Sequence, residues 1–328
     1  MRLRRPSGRR SRVFGPAHAP ATVVALLVVL GSGCQPSPAP TAVPRLPAGE
    51  AGQVLARALD AAGGWARWVA LRDVGYINTL TLLDAYGDLS SQSIGWYMAP
   101  LHRGMQARME SIGLPNEVLL GVNGQDTWIL RDGTAVTESP RLELARFNMV
   151  SNLFWFSLPF ALAETPVTIT DLGQVDGNDQ ARWHRLKVVF EPNNPGVPGD
   201  WFILYFNTRT NLIDRVHAKI TASFLRHELW VGKWLDYRNW NGLKKERQRQ
   251  FFPANDKGEI VGNVVAEQLV EHVQLNNGYA PDSFAKPPKA DGGTHASTRI
   301  PRGCQEGARP CAGPNDRPDT RLLLTAHR

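Results

Sequence analysis

The chain has 328 residues, with 37 Lys and Arg against 30 Asp and Glu, a formal net charge of +7. The excess is uneven. Six arginines (Arg2, Arg4, Arg5, Arg9, Arg10, Arg12) precede any acid, residues 49–284 hold 22 basic and 26 acidic side chains, and residues 285–328 hold eight and four. The stretch long enough to bury a core is therefore slightly acidic, which argues against a nucleic-acid-binding surface.

The arginine-rich start leads into an apolar run, residues 21–30 (ATVVALLVVL). A bilayer-spanning helix needs roughly 20 apolar residues, so this run suits the core of an export signal. Gly31, Ser32, Gly33 and Cys34 follow, and the segment resembles the lipobox of bacterial lipoproteins. That box has Leu three residues before its Cys, whereas Leu30 stands four before and Gly31 takes its place. The resemblance implies residues 1–33 as signal peptide and Cys34 as a lipid anchor. The alternative is ordinary cleavage, with Cys34 incidental. Gln35 after the Cys fits outer-membrane sorting by the same analogy. Arg9-Arg10 raises twin-arginine export, but Ser11, Arg12, Val13 and Phe14 fit that motif poorly, so Sec export is expected.

Residues 34–48 are Pro-rich and read as an extended tether. Helical signals open the domain expected at 49–284: Val54, Leu55, Ala58, Leu59 and Ala62 form a stripe at helical spacing, stopped by Gly63-Gly64. A short helical turn, Trp65 to Leu71, comes next. The period then changes to two, with Ile94, Trp96 and Met98, and with Leu101, Arg103, Met105, Ala107 and Met109, alternating with polar or small neighbours. Asn123-Gly124 and Asp132-Gly133 are hairpin signals beside Leu120, Val122, Trp128 and Leu130. One helix interrupts at 140–158: Leu142, Ala145, Met149, Leu153, Phe156 and Phe160 make its stripe, and Phe147, Val150, Phe154 and Trp155 make other faces apolar too. Such a helix must be buried, and Pro159 marks its end. Strands resume at 167–175, 182–191, 201–207, 212–221, 226–237, 243–252 and 259–275, with turns at Thr208–Asn211 and Asn255–Gly258. About eleven antiparallel strands cannot stay flat, so the expected fold is mainly β with α: a curved half-barrel with the central helix across its open side. Residues 285–328 lack an apolar period and read as a disordered tail. Within it Cys304 and Cys311 are placed either to close a small disulfide loop in an oxidising compartment or to remain thiols.

This order resembles the LolA/LolB-like barrel of periplasmic lipoprotein-handling proteins over about residues 50–288. The resemblance is carried by Leu59-Asp60-Ala61-Ala62-Gly63-Gly64-Trp65, by the hairpin Trp201–Thr210, and by Val273–Tyr279 with Phe284 and Pro287-Pro288. It implies binding of a lipid, acyl chain or other apolar ligand in a concave cavity, with the membrane reached through the N-terminal anchor at the periplasmic face of the outer membrane. No position matches the family's exposed apolar receiving loop or its gating arginine.

Ten tryptophans suit either core packing or the wall of an acyl-chain cavity. On the second reading the lining residues are Trp96, Met98, Trp128, Met149, Leu153, Phe156, Trp183 and Trp230. His184, His217 and His227 lie on separate strands, and no metal or nucleophile motif appears, so neither cofactor nor catalysis is expected. The run Lys244-Lys245-Glu246-Arg247-Gln248-Arg249 would put Lys245, Arg247 and Arg249 on one strand face, solvated or set against anionic headgroups. The alternative function is a non-catalytic envelope scaffold that contacts partner proteins through surface patches or its tail.

Overall fold

The computed structural model describes residues 43–113, 118–177, 181–190 and 199–287. Cys34, most of the tether and the tail with Cys304 and Cys311 lie outside these residues.

Helix α1 (Glu50–Ala61) and helix α2 (Trp65–Val69) open the domain. The chain then forms β1 (Asp73–Leu83), β2 (Leu89–Pro100), β3 (Gln106–Ser111), β4 (Val118–Asn123), β5 (Asp126–Arg131) and β6 (Thr134–Val136). Helices α3 (Ser139–Ser157) and α4 (Ala161–Glu164) intervene. Strands β7 (Val167–Asp176), β8 (Arg182–Phe190), β9 (Trp201–Asn207), β10 (Ile213–Lys219), β11 (Leu229–Trp240), β12 (Leu243–Pro253) and β13 (Ala266–Leu275) follow, and a 3-10 turn, Pro281–Phe284, closes the described part.

All thirteen strands join one antiparallel sheet in the order β6-β5-β4-β3-β2-β1-β13-β12-β11-β10-β9-β8-β7. Every pairing is between chain neighbours except the central one, where β1 zips to β13 (Val74 opposite Leu275, Leu80 opposite Gln268). The sheet keeps two edges, β6 and β7, so it is a half-barrel and not a closed barrel.

Strand alternation sorts the side chains onto two faces. One face carries Tyr76, Tyr97, Ala107, Val122, Leu186, Val188, Phe202, Leu204, Val216 and Trp234; together with α1 and α3 these build the main core. The other face carries Trp96 and Met98, covered by Phe284 and Tyr279 of the C-terminal segment, and a separate cluster of Leu119, Trp128 and Leu130. Asp73 ties that segment down, accepting hydrogen bonds from the Asn277 and Gly278 backbone amides at 2.6 and 2.9 Å.

The structure differs from the sequence reading in several places, beginning with thirteen strands where about eleven were expected and with His227 just outside β11. Strand β1 gave no alternating signal because the centre of the sheet is covered on both faces, with Tyr76 and Asn78 buried on one side and Ile77 half-buried on the other. Residues 101–105 form a turn, since His102 and Gly104 adopt φ of 61° and 74° and end the alternation there. The last strand begins at Ala266, because residues 254–265 make an excursion held by the Ala254–Ile260 bridge. Arg45 donates its backbone N–H to the Ala163 carbonyl at 3.1 Å, so the end of the expected tether is bound to the domain.

Candidate functional site

The concave side of the sheet is occupied by the C-terminal half of α3. Phe154, Trp155 and Phe156 pack among sheet aromatics: Tyr76 stacks on Phe156 at 5.3 Å, Phe154 lies 5.1 Å from Phe202, and Trp155 lies 5.4 Å from both Phe202 and Trp234. Ring pairs of this kind contribute about 0.5–1.5 kcal/mol each beyond burial.

Beneath these rings runs a buried polar network. Glu246 and Arg249 are three residues apart on β12, and Arg249 donates Nε and Nη2 to Glu246 Oε1 at 2.8 and 2.5 Å. Its Nη1 donates to Gln268 Oε1 on β13 at 2.7 Å. The Gln268 amide group in turn donates to Asn78 Oδ1 on β1 and to Asn152 Oδ1 on α3. Lys245 lies 3.5 Å from Glu246, donates to the Leu158 carbonyl at the end of α3, and has its ammonium 5.5 Å from the Phe156 ring. Tyr97 donates its hydroxyl to the Met149 carbonyl at 2.8 Å and Tyr76 to the Asn152 carbonyl at 3.3 Å. Lys245, Glu246 and Arg249 are each at most 2% exposed. Desolvation therefore dominates the Lys245 ammonium and pulls it from 10.5 to about 8, against the opposing pull of Glu246. Burial likewise pushes Tyr76, Tyr97 and Tyr237 well above the usual phenol range, so they stay neutral donors.

This corrects the reading of the charged run. Lys245, Glu246 and Arg249 face the helix, while Arg247 points away to Glu271 and Asp236 at 2.5 and 3.4 Å. Simple alternation fails here because two neighbours, Lys245 and Glu246, are both buried.

A cavity of about 10 Å³ adjoins the network, walled by Leu158, Pro159, Trp234, Tyr237, Lys244, Lys245 and Glu246 on one side and by Ala58 and Ala62 of α1 on the other. That is room for one water. A ligand pocket is normally roughly 300–1,000 Å³, so this cavity holds no alkyl chain while α3 is seated.

The eight expected lining residues do not share one surface. Met149 and Phe156 are buried on α3, and Leu153 and Trp230 pack against the same core. Trp96 and Met98 lie on the opposite face beneath Phe284, and Trp128 is there too, against Leu119 and Leu130. Trp183 stands beside Tyr205 at 5.9 Å and donates to Asp214 at 3.1 Å. The period of two requires this split, because Tyr97, between Trp96 and Met98, is the residue of that trio that faces α3.

The histidines also stay apart. His184 meets Asp171 at 2.7 Å, with Glu50 of α1 at 4.0 Å from its other nitrogen, and it does not line the cavity. His217 is buried edge-on to Trp201 at 5.0 Å, its imidazole held below the ordinary range chiefly by burial. His227 is exposed. No cluster of three or more His, Cys, Asp or Glu able to hold a metal occurs among the described residues. No helix among them is long and apolar enough to cross a membrane.

Fold and site together define an open antiparallel half-barrel whose concave face is plugged by one helix over a buried ionic network. Solved structures similar to it include a LolA superfamily protein from Nitrosomonas europaea (12% identity, TM-score 0.44, covering 71% of this chain and 97% of that one). A DUF1329 family protein from Desulfovibrio piger matches at 8% identity and TM-score 0.44 over 71% and 95% of the two chains. A putative outer membrane lipoprotein-sorting protein domain from Vibrio parahaemolyticus matches at 11% and 0.43 over the same shares. No family model and no curated protein matches the sequence.

Proposed function

We propose that this is an envelope lipoprotein, tethered through Cys34 to the periplasmic face of the outer membrane, whose half-barrel takes up an apolar chain beneath α3. The described state is the closed one, and α3 is the lid. The observation that carries this reading is the contrast within α3's seat. Its apolar contacts are aromatic faces that an alkyl chain can replace, and its polar fastenings within Met149–Leu158 are four donors from the sheet. Displacing the helix thus exposes a concave surface of aromatic side chains with those four donors among them.

The test is native mass spectrometry of the gently extracted full chain, with uptake of a fluorescent fatty acid. Co-purifying lipid or saturable uptake is expected. Absence of both overturns the reading.

A second reading is favoured by the small cavity. If α3 never leaves, the sheet is a solid body and the protein is a tethered scaffold acting through its surface on envelope proteins. Crosslinking in cells separates the two: a partner lost on deletion of residues 285–328, with no ligand uptake by either form, supports the scaffold.

A further inference from the structure

We propose that the concave face selects anionic amphiphiles, seating a carboxylate or phosphate headgroup beside Lys245 and Arg249 while the chain replaces the aromatic side chains of α3. The inference rests on the lid reading and adds to it the charge of the ligand.

The first ground is direction. Each hydrogen bond described between the sheet and residues 149–158, the end of α3 and its C-cap, has its donor on the sheet: Tyr97 Oη to Met149, Tyr76 Oη to Asn152, the Gln268 amide to Asn152 Oδ1, and Lys245 Nζ to Leu158. Lifting this C-terminal part of the helix removes four acceptors and leaves four donors facing the vacated space, while Arg146, nearer its start, donates the other way to the Gly124 and Gln125 carbonyls. Burial holds both tyrosines in the protonated, donating form. An unpaired donor in a buried site costs about 1–3 kcal/mol, so the incoming group must be rich in acceptors.

The second ground is charge. Lys245 and Arg249 share one carboxylate, that of Glu246. Their other described partners are neutral: the Leu158 carbonyl, Gln268 Oε1 and the Phe156 ring. The buried cluster therefore holds one positive charge in excess, and the Leu158 carbonyl is its closest stand-in for an anion. A headgroup oxygen taking that place supplies a charge-assisted bond that a carbonyl cannot.

The third ground is the cavity beside Lys245. Lys244 and Trp234 line it, and the buried Trp234 indole Nε1 has no hydrogen-bond partner. The lining thus adds an unused donor from Trp234, and Glu246 is its one acid, while Lys244 itself is exposed.

The test compares sixteen-carbon chains ending in carboxylate, phosphate, alcohol or trimethylammonium, by displacement of an uncharged fluorescent alkane from the full-length protein. At least one anion is expected to bind about tenfold or more tighter than the alcohol, with the ammonium weakest, which is about 1.4 kcal/mol of discrimination. Carboxylate ahead of phosphate marks free fatty acid as the ligand chemistry, and the reverse order marks a phospholipid headgroup. In Lys245→Met the preference for the anion over the alcohol should fall below about threefold. Alcohol binding as tightly as both anions overturns the inference and leaves the lid reading intact. Failure of every chain to bind overturns both. Should Lys245→Met not fold, the ratios on the unaltered protein decide.

Discussion

Glu246 and Lys245 are neighbours in one buried network, yet their removal should have very different consequences. Glu246→Gln leaves Lys245 and Arg249 buried without their shared counter-ion, and breaking a buried pair from one side typically costs about 3–5 kcal/mol. Lys245→Met removes the excess cation instead. Burial holds that ammonium at about 8 instead of 10.5, a penalty of about 3 kcal/mol at neutral pH. Met discards the penalty but leaves the Leu158 carbonyl short of a donor, a loss of about 1–3 kcal/mol, so the net change should lie within about 2 kcal/mol of zero. The sign against pH follows from the same shift. Because the folded-state value is below the unfolded one, the unfolded chain binds more protons between about pH 8 and 10, and stability rises across that window. Above about pH 10 the three tyrosines held neutral by burial reverse the trend, since they then ionise only in the unfolded chain. Urea unfolding followed by tryptophan fluorescence at pH 7, 8, 9 and 10 measures both effects. Equal losses for the two variants at pH 7, or a wild-type stability that falls from pH 8 to 10, would refute the network's charge balance.

Three further outcomes are expected from the same unfolding assay. Tyr97→Phe, which deletes the 2.8 Å bond to Met149, should lower stability by about 1 kcal/mol and, on the lid reading, raise the rate of ligand uptake. Phe284→Ala should cost about 3–5 kcal/mol and red-shift the emission of Trp96, which it covers; an unchanged spectrum would place that cover elsewhere. Gly121→Ala sets a Cβ 2.2 Å from the Trp128 ring, so a loss of about 1–3 kcal/mol is expected, whereas a neutral change would mean the ring moves freely.

Much of the architecture was legible because it rests on local rules. The Asn123-Gly124 and Asp132-Gly133 turns lie where β4, β5 and β6 reverse, and the apolar segment 140–158 is α3, whose C-terminal half is buried while its first turns are exposed. Strand β1 was hidden because being covered on both faces erases the alternation that reveals a strand. The network was hidden for a different reason. A run of four cations and one acid in residues 244–249 looks like a solvated face until Gln268 and Asn152, distant in sequence, are seen to satisfy it. The one clue was composition: Asn152 is an amide just before the Phe154-Trp155-Phe156 run, and Gln268 falls between Ala266 and Val270 in the same phase of its strand. The eight lining candidates were chosen by residue type, and type does not say which face of a strand a tryptophan takes.

Amide hydrogen exchange of α3, with and without a saturating sixteen-carbon fatty acid, bears most directly on whether this helix is a lid. Faster exchange at residues 149–157 on adding the ligand, with β1 and β13 unchanged or slower, is the result the account predicts. Ligand binding that leaves those amides as protected as before would contradict it.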